Sequence, residues 1–412
     1  MERAELARRL QPAGVRQRSV DAPEGKPILV SEPDPVRFMP AFAAAAAGRG
    51  PVFLADPAWS TAERAALYEA TQFQISNFKF SPECGWLCIP TGGSSGRIRF
   101  ARHDQDTVAA AVDGFARHFG VSRVNAVGLL PLHHVSGLMA WMRCVLTDGE
   151  YRPWSWDTLL AGKRPALEPG DWFLSLVPTQ LQRLLGSPAA VEWLRRFRVI
   201  SVGGGPVWAE LADAAAQARL PISLGYGLTE TMAMVAAQRP EEFAGGDRSA
   251  GRPMPHARIS LDAEGAVTVT GESVFRGYWP AESGSRTLVT SDAGRLDDSG
   301  RLWLLGRRDA VIITGGKKVQ PEEVEAALQA TGLFADVAVV GVPDPEWGEA
   351  VVACHPGGMA IDPAAVAGRI AGLAGFKRPK RYVALADWPR NAQGKLNRAA
   401  LRAAVLTSPS AG

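Results

Sequence analysis

Short apolar runs alternate with stretches of helical period over the first 250 residues. PVFLAD (51–56) precedes a helical pattern near 60–72, GWLCIPT (85–91) precedes one over 104–119, and VNAVGLLPL (124–132) follows. A second round runs DWFLSLVPT (171–179) into LQRLLG, RVISVGGG (198–205) into WAELADAAAQARL, and PISLGYG (221–227) into TETMAMVAA, each read as strand then helix. That alternation predicts a parallel sheet with crossover helices. From Ala257 the texture changes to alternating strands, ARISLDAEGAVTVTGESVFRGYW and GRLDDSGRLWLLG, whose DAEG and DDSG turns suit hairpins. They predict a small β subdomain closing the first region.

After Gly306 the chain reads AVIITGG, a helix from Pro321, strands ADVAVVGV (335–342) and AVVACHP, a helix over 363–374, and YVALADWP. Pro321 sits at a first helical position, with Glu322 and Glu323 in the first turn where the helix dipole favours carboxylates. The expected fold class is therefore α/β: a large N-terminal domain of parallel and mixed sheets with crossover helices and a β subdomain, then a small mobile α+β domain. The boundary falls between 1–306 and 307–412. No internal repeat appears, and the tail LTSPSAG reads as frayed.

Composition narrows the class. At 412 residues the chain exceeds the roughly 250–300 at which one hydrophobic core stops growing, so two domains are expected. Gly (43) and Pro (30) stay below low-complexity levels, and apolar residues make up 46%, which excludes disorder for most of the length. A net charge of +3 provides no field to draw the chain onto nucleic acid or an anionic membrane, so the partner is a small molecule. The longest apolar stretches, Ala41–Ala47 and Val127–Leu130, are too short to span a bilayer. The charged start MERAELARRL lacks the apolar core of a secretory signal, and a cytoplasmic location is expected. Cys84 and Cys88 lie without a second pair or His cluster, and Cys144 and Cys354 stand alone, so buried thiols are expected. Oligomeric state is left open, a homo-oligomer included.

Four segments carry candidate chemistry. TGGSSGRIR (91–99) follows a strand with Thr91, Gly92, Gly93, Ser94, Ser95, Gly96 and Arg99. Glycines let backbone N–H groups turn toward an anion, hydroxyls donate further bonds and guanidiniums neutralise phosphate. It is not a Walker loop, and by itself it also reads as an ordinary loop. LGYGLTET (224–231) places Tyr226, Gly227, Thr229 and Glu230 where a helix opens, able to seat an anion and a divalent cation, or simply to cap a helix at Thr229. SDAGRLDDSGRLWLLGRRD (291–309) offers Asp292 to ribose hydroxyls, or as a turn aspartate, with Arg307 and Asp309 at a strand end. RNAQGKLNR (390–398) holds Lys395, one of only 8 lysines against 37 arginines.

In this order the segments resemble the adenylate-forming superfamily of acyl-CoA synthetases, luciferases and nonribosomal-peptide adenylation domains, over nearly the whole chain. The resemblance implies that loop 91–99 binds the phosphates of ATP, although the family ends it with Pro-Lys where this chain has Ile98 and Arg99. It implies that Gly203, Gly204, Gly205 and Pro206 pass the adenine with Tyr226 and Gly227 against it. Thr229 then contacts the α-phosphate, Glu230 is the magnesium ligand, Asp292 and Arg307 hold the ribose, Asp309 is the hinge, and Lys395 reaches the reacting carboxylate during adenylation. A carboxylic acid and Mg-ATP give acyl-AMP and pyrophosphate, and CoA takes the acyl group.

LPLHHVSGL (130–138) and SLVPTQLQRLL (175–185) look like the o-succinylbenzoate:CoA ligases of menaquinone and phylloquinone biosynthesis. That likeness puts His134 near the acyl pocket, where a satisfied core histidine is the other reading. Arg183 is the candidate for the substrate's second carboxylate, against a plain helix-surface arginine. The alternatives are another aryl or short-chain acyl-CoA synthetase, an adenylation module serving a carrier protein, and an adenylate-binding protein without ligase activity.

Overall fold

The computed structural model describes residues 1–11, 26–59, 61, 64–65, 67, 85–92, 98–281, 283–334, 336–358, 361–390 and 396–407. Four sheets follow one another along the chain. The first, in order β1-β2-β3-β4, joins Ile28–Val30, Val52–Leu54, Leu87–Gly92 and Ile98–His103. Its first three strands are parallel and β4 turns back antiparallel on β3. Loop 91–99 thus ends a hairpin instead of leading from strand to helix. The predicted helix near 60–72 lies largely outside the described residues.

The second sheet carries β5 (Asn125–Gly128), β6 (Tyr151–Pro153), β7 (Trp172–Leu176), β8 (Val199–Val202), β9 (Ile222–Leu228), β10 (Ala233–Ala237) and β11 (Arg252–Pro253), in order 11-10-9-8-7-5-6. Strands β5 to β9 are parallel, and β5 and β8 are buried at every position, as expected of a sheet covered on both faces. On one face, Leu181, Leu184, Trp193 and Leu211 from the crossover helices share a core with Leu174, Ile200 and Ile222. On the other, the helices Gln105–Phe119 and Val135–Leu146 bring in Phe115, Phe119 and Cys144 against Phe173 and Val199. Asp104 starts the first of these helices with a capping box, accepting from the Thr107 N–H at 2.8 Å.

TETMAMVAA is the main correction. Leu228 is extended, Thr229–Thr231 form one 3-10 turn, and Met232 and Ala233 take φ of 54° and 77°. These left-handed residues reverse the chain, so β10 pairs antiparallel with β9 where a helix was predicted, and Thr229 is not an N-cap. The turn needs Gly227, because a Cβ there would come 2.0 Å from the Ala233 carbonyl oxygen.

Strands β12 (Ala257–Leu261), β13 (Ala266–Gly271), β14 (Thr287–Leu296) and β15 (Leu302–Arg307) form the predicted antiparallel meander. The last sheet orders β16 (Ile312–Thr314), β17 (Lys317–Val319), β18 (Ala338–Asp344) and β19 (Gly348–Pro356) as 17-16-19-18, with β20 (Arg381–Leu385) parallel to β19. The helix Pro321–Ala330 begins where predicted, the one from Pro363 ends early at Arg369, and a further helix spans Arg398–Thr407. Arg398 donates to both oxygens of Glu325, at 2.6 and 2.8 Å, and so fastens that last helix to the helix Pro321–Ala330. Cys88, Cys144 and Cys354 are buried free thiols, and Cys84 lies outside the described residues. No described helix is long and apolar enough to cross a membrane.

Candidate active site

The order 9-8-7-5-6 has a switch point between β5 and β7, because the chain leaves them in opposite directions across the sheet. Ligands of open α/β sheets collect beyond the carboxyl ends of strands at such a point. The segments that open there are Leu129–His134 after β5 and Val177–Gln180 after β7. Gly203–Pro206 follows β8 next to them. Gly204 takes φ of 78°, and its missing Cβ would reach only Val177, at 3.7 Å. Gly203 faces the Gly225 carbonyl of β9.

The 3-10 turn after β9 holds a buried polar cluster. Glu230 is buried, yet it makes no ion pair with a described residue. Its Oε1 accepts from the Tyr278 hydroxyl at 2.6 Å and from Thr91 Oγ1 at 3.2 Å, both neutral donors. A carboxylate that no described cation faces can take a hard divalent cation as its ligand, so the residues present fit magnesium. Arg99 lies over the Tyr278 ring at 4.1 Å, one strand pairing from Thr91, which gathers positive charge beside the turn. Tyr278 has no signature in the sequence, being 48 residues from its partner.

Thr229 is fixed from behind. His103 at the end of β4 donates through Nε2 to the Thr229 carbonyl at 2.8 Å, and its Nδ1 lies 3.2 Å from Thr107 Oγ1. Burial pushes this imidazole down to about 4, so it is neutral in the folded protein. Between pH 6.5 and 4 the unfolded chain takes up a proton here that the folded chain refuses, and stability falls as pH drops through that window. The slope from one such group is at most about 1.4 kcal/mol per pH unit. His103→Gln is expected to reduce the loss of thermal midpoint between pH 7 and 5. His256, also pushed down to about 4 by burial, keeps part of the slope. A pH 5 penalty equal to wild type in His103→Gln would remove His103 as its source.

A second cluster joins β9 to the meander. The Tyr226 hydroxyl donates to Asp292 Oδ2 at 2.6 Å, and Arg307 Nη1 stands 3.6 Å from Asp292 Oδ1. Burial, and then the facing carboxylate, push the Tyr226 phenol up and keep it a donor. Arg307 also donates to both oxygens of Asp309, at 2.8 and 2.6 Å, a bond that holds its guanidinium above the ordinary arginine range. Thr91, Tyr226, Glu230, Asp292, Arg307 and Asp309, distant in sequence, are thus linked through two bonded clusters on β9 and the turn after it.

Other predicted residues stand apart. His134 precedes the helix Val135–Leu146 with its ring centroid 4.4 Å from that of His133, which is 3.5 Å from Asp56. Arg183 is exposed on the helix Pro178–Leu185, beside the buried Leu181 and Leu184. Gly93, Ser94, Ser95, Gly96 and Lys395 lie outside the described residues, and Gly92 ends β3.

Two sequence profiles match the chain: that of the AMP-binding enzymes over residues 77–279, and that of their C-terminal domain over 323–395. The chain belongs to the AMP-binding enzyme family. It is 30% identical over 333 residues to the 2-succinylbenzoate–CoA ligase of Bacillus licheniformis, covering 75% of this chain and 68% of that one. It is 31% identical over 298 residues to the ligase of the same name from Geobacillus kaustophilus, a match spanning 66% of this chain and 59% of that relative's length. The indoleacetate–CoA ligase of Aromatoleum aromaticum is equally close, 30% over 353 residues, or 79% of this chain and 68% of that protein. In fold, the o-succinylbenzoate CoA synthetase of Bacillus subtilis, solved with its acyl-adenylate, superposes with a TM-score of 0.78 at 22% identity, covering 97% of this chain and 91% of that one.

Proposed function

We propose that the protein is an AMP-forming acid:CoA ligase that activates o-succinylbenzoate as its adenylate and passes the acyl group to CoA. The observation that carries the ligase reading is Glu230, a buried carboxylate with two neutral donors and no cation among the described residues, set between the phosphate-loop strand and the Tyr226–Asp292–Arg307 cluster. In this reading Glu230 holds magnesium, which supplies charge neutralisation to the phosphates of ATP. Loop 91–99 surrounds those phosphates, and Thr229 donates to the α-phosphate. The 203–206 loop and Tyr226 border the adenine, and Asp292 with Arg307 holds the ribose. Lys395 meets the acid's carboxylate as negative charge builds on the bridging oxygen, and pyrophosphate leaves. The CoA thiol then attacks the mixed anhydride and AMP departs.

The choice of acid rests on the 2-succinylbenzoate–CoA ligases among the relatives and on the segments 130–138 and 175–185. An aryl-acetic acid is the second reading, favoured by the equal identity to the indoleacetate ligase. Pyrophosphate release over a panel of carboxylic acids, with and without CoA, decides between them. Preference for o-succinylbenzoate with CoA-dependent thioester formation is expected, and preference for indoleacetate would overturn the substrate assignment.

The reading also makes Asp309 the hinge between 1–306 and 307–412, where the chain leaves β15 through the 3-10 turn Arg308–Ala310. Asp309→Pro fixes φ near −65° and is expected to slow one half-reaction at least about 10-fold more than the other. Pre-steady-state assays of adenylation and thioester formation check this. An unchanged ratio places the hinge elsewhere.

A further inference from the structure

Two of the six histidines, His133 and His134, are neighbours in the segment after β5, and no step of the reaction just described uses either. Adjacent side chains on an extended strand point to opposite faces. Here the His134 N–H donates to the Pro131 carbonyl at 3.2 Å, and the turn it closes brings the two imidazoles together, ring centroids 4.4 Å apart. They meet Asp56, two residues beyond the carboxyl end of β2. One ligand atom from each of the three residues lies within 4.8 Å of the other two, the one such grouping of His, Cys, Asp and Glu among the described residues.

The two most buried members of this group are poorly matched to each other as hydrogen-bond partners. His133 is 6% exposed and its Nε2 has no hydrogen-bond partner, the Asp56 Oδ2 facing it from 3.5 Å. That is longer than an ordinary N–H···O bond. Asp56, also 6% exposed, accepts through Oδ1 from the Ala58 N–H at 2.8 Å and pairs with no lysine or arginine among the described residues. A carboxylate so deeply buried calls for a positive partner. The 3.5 Å spacing fits one: two atoms bound at about 2.1 Å at the corners of a tetrahedron stand about 3.4 Å apart. The main chain on either side is already fixed, since the Asp56 carbonyl accepts from the Trp59 N–H at 3.1 Å and the His134 carbonyl from the Leu138 N–H at 2.9 Å.

We propose that Asp56, His133 and His134 form a binding site for one divalent transition-metal ion, zinc in particular, separate from the magnesium ligand Glu230. Two imidazole nitrogens and one carboxylate oxygen suit zinc, whereas magnesium and calcium take oxygen ligands. Three protein ligands leave the fourth tetrahedral position to water. The Ala58 N–H holds Oδ1 and so presents Oδ2 to the ion, the kind of outer bond that orients a ligating carboxylate. The ion joins the end of β2 to the segment after β5. It thereby clasps the first sheet to the second at the edge where the switch point opens.

The test titrates untagged, metal-free protein with zinc and with cobalt, in excess magnesium and without substrates, so that it stands or falls independently of the ligase reading. Cys84→Ser in the background keeps that thiol out of the count. One equivalent of zinc should bind with a Kd below about 10 μM and raise the thermal midpoint, because only the folded chain brings the three ligands together. Cobalt should show the strong visible absorption of four-coordinate geometry, and X-ray absorption should count two imidazoles on the zinc. His133→Phe keeps a ring and removes a ligand, while Asp56→Asn keeps the bond from Ala58 and removes the charge. Each should weaken zinc binding at least about 10-fold. A wild-type Kd above about 10 μM, a six-coordinate cobalt spectrum or any other number of imidazoles overturns the proposal without recourse to a variant. So does a loss smaller than about 10-fold in either variant that folds. If neither variant folds, the wild-type stoichiometry and imidazole count decide.

Discussion

Glu230→Gln should lose acyl-adenylate formation by about 100-fold or more, while the protein stays folded. The substitution preserves shape, and an amide oxygen still accepts from Tyr278 and Thr91, so the turn after β9 keeps both of its hydrogen bonds. What disappears is the only negative charge among the described residues of that cluster. Pyrophosphate exchange should therefore collapse, and the magnesium concentration needed for any remaining activity should rise. Tyr278→Phe leaves the charge and removes only one donor, so a smaller loss, about 10-fold, is expected. Exchange within about 5-fold of wild type in Glu230→Gln would show that the carboxylate holds no catalytic cation.

Lys395→Ala is the second large effect, and it divides the reaction. Adenylation should fall by about 100-fold or more, because a cation at the departing bridging oxygen acts only in the first step. Thioester formation from supplied acyl-AMP should remain within a few-fold of wild type. The expectation comes from the NAQGK segment, where Lys395 is one of 8 lysines in an arginine-rich chain. The described residues on either side, Arg390 and Leu396, pair across an antiparallel bridge, with the Asn397 N–H donating to the Pro389 carbonyl at 2.9 Å. Equal losses in both half-reactions would mean general damage and would remove the assignment.

What the sequence made legible depended on how local the cause was. The parallel strands of the second sheet announce themselves as uniformly apolar runs because both of their faces are covered, and the helix at Pro321 because proline and two glutamates act within one turn. TETMAMVAA misled because its apolar positions suit a buried helix and a buried strand equally. The deciding facts, two left-handed residues and a glycine pressed against a carbonyl, are consequences of pairing with β9. The β3–β4 hairpin was hidden for a related reason: IRFARH pairs with residues across the loop, and the Gly-Gly and Ser-Gly dipeptides between them read equally as a loop leading to the helix at Asp104. Among site residues, Asp292 and Arg307 were visible through their motifs, whereas Tyr278 acts through a contact that only the fold creates.

The polarity of the central sheet has a practical consequence. The loops of this sheet that enter the proposed chemistry, after β5, β7, β8 and β9, all lie at its carboxyl ends, so the turns that lead into those strands form an opposite edge away from them. Gln217, exposed at the last turn of the helix Ala209–Gln217 before β9, belongs to that edge. A fluorophore on Gln217→Cys would report on the molecule without touching substrate, since Cys88, Cys144 and Cys354 are buried thiols pushed up to about 12 and react slowly. With Cys84→Ser in the background and a second dye on the sheet formed by β16 to β20, the distance between the two labels would follow the small domain through each half of the catalytic cycle.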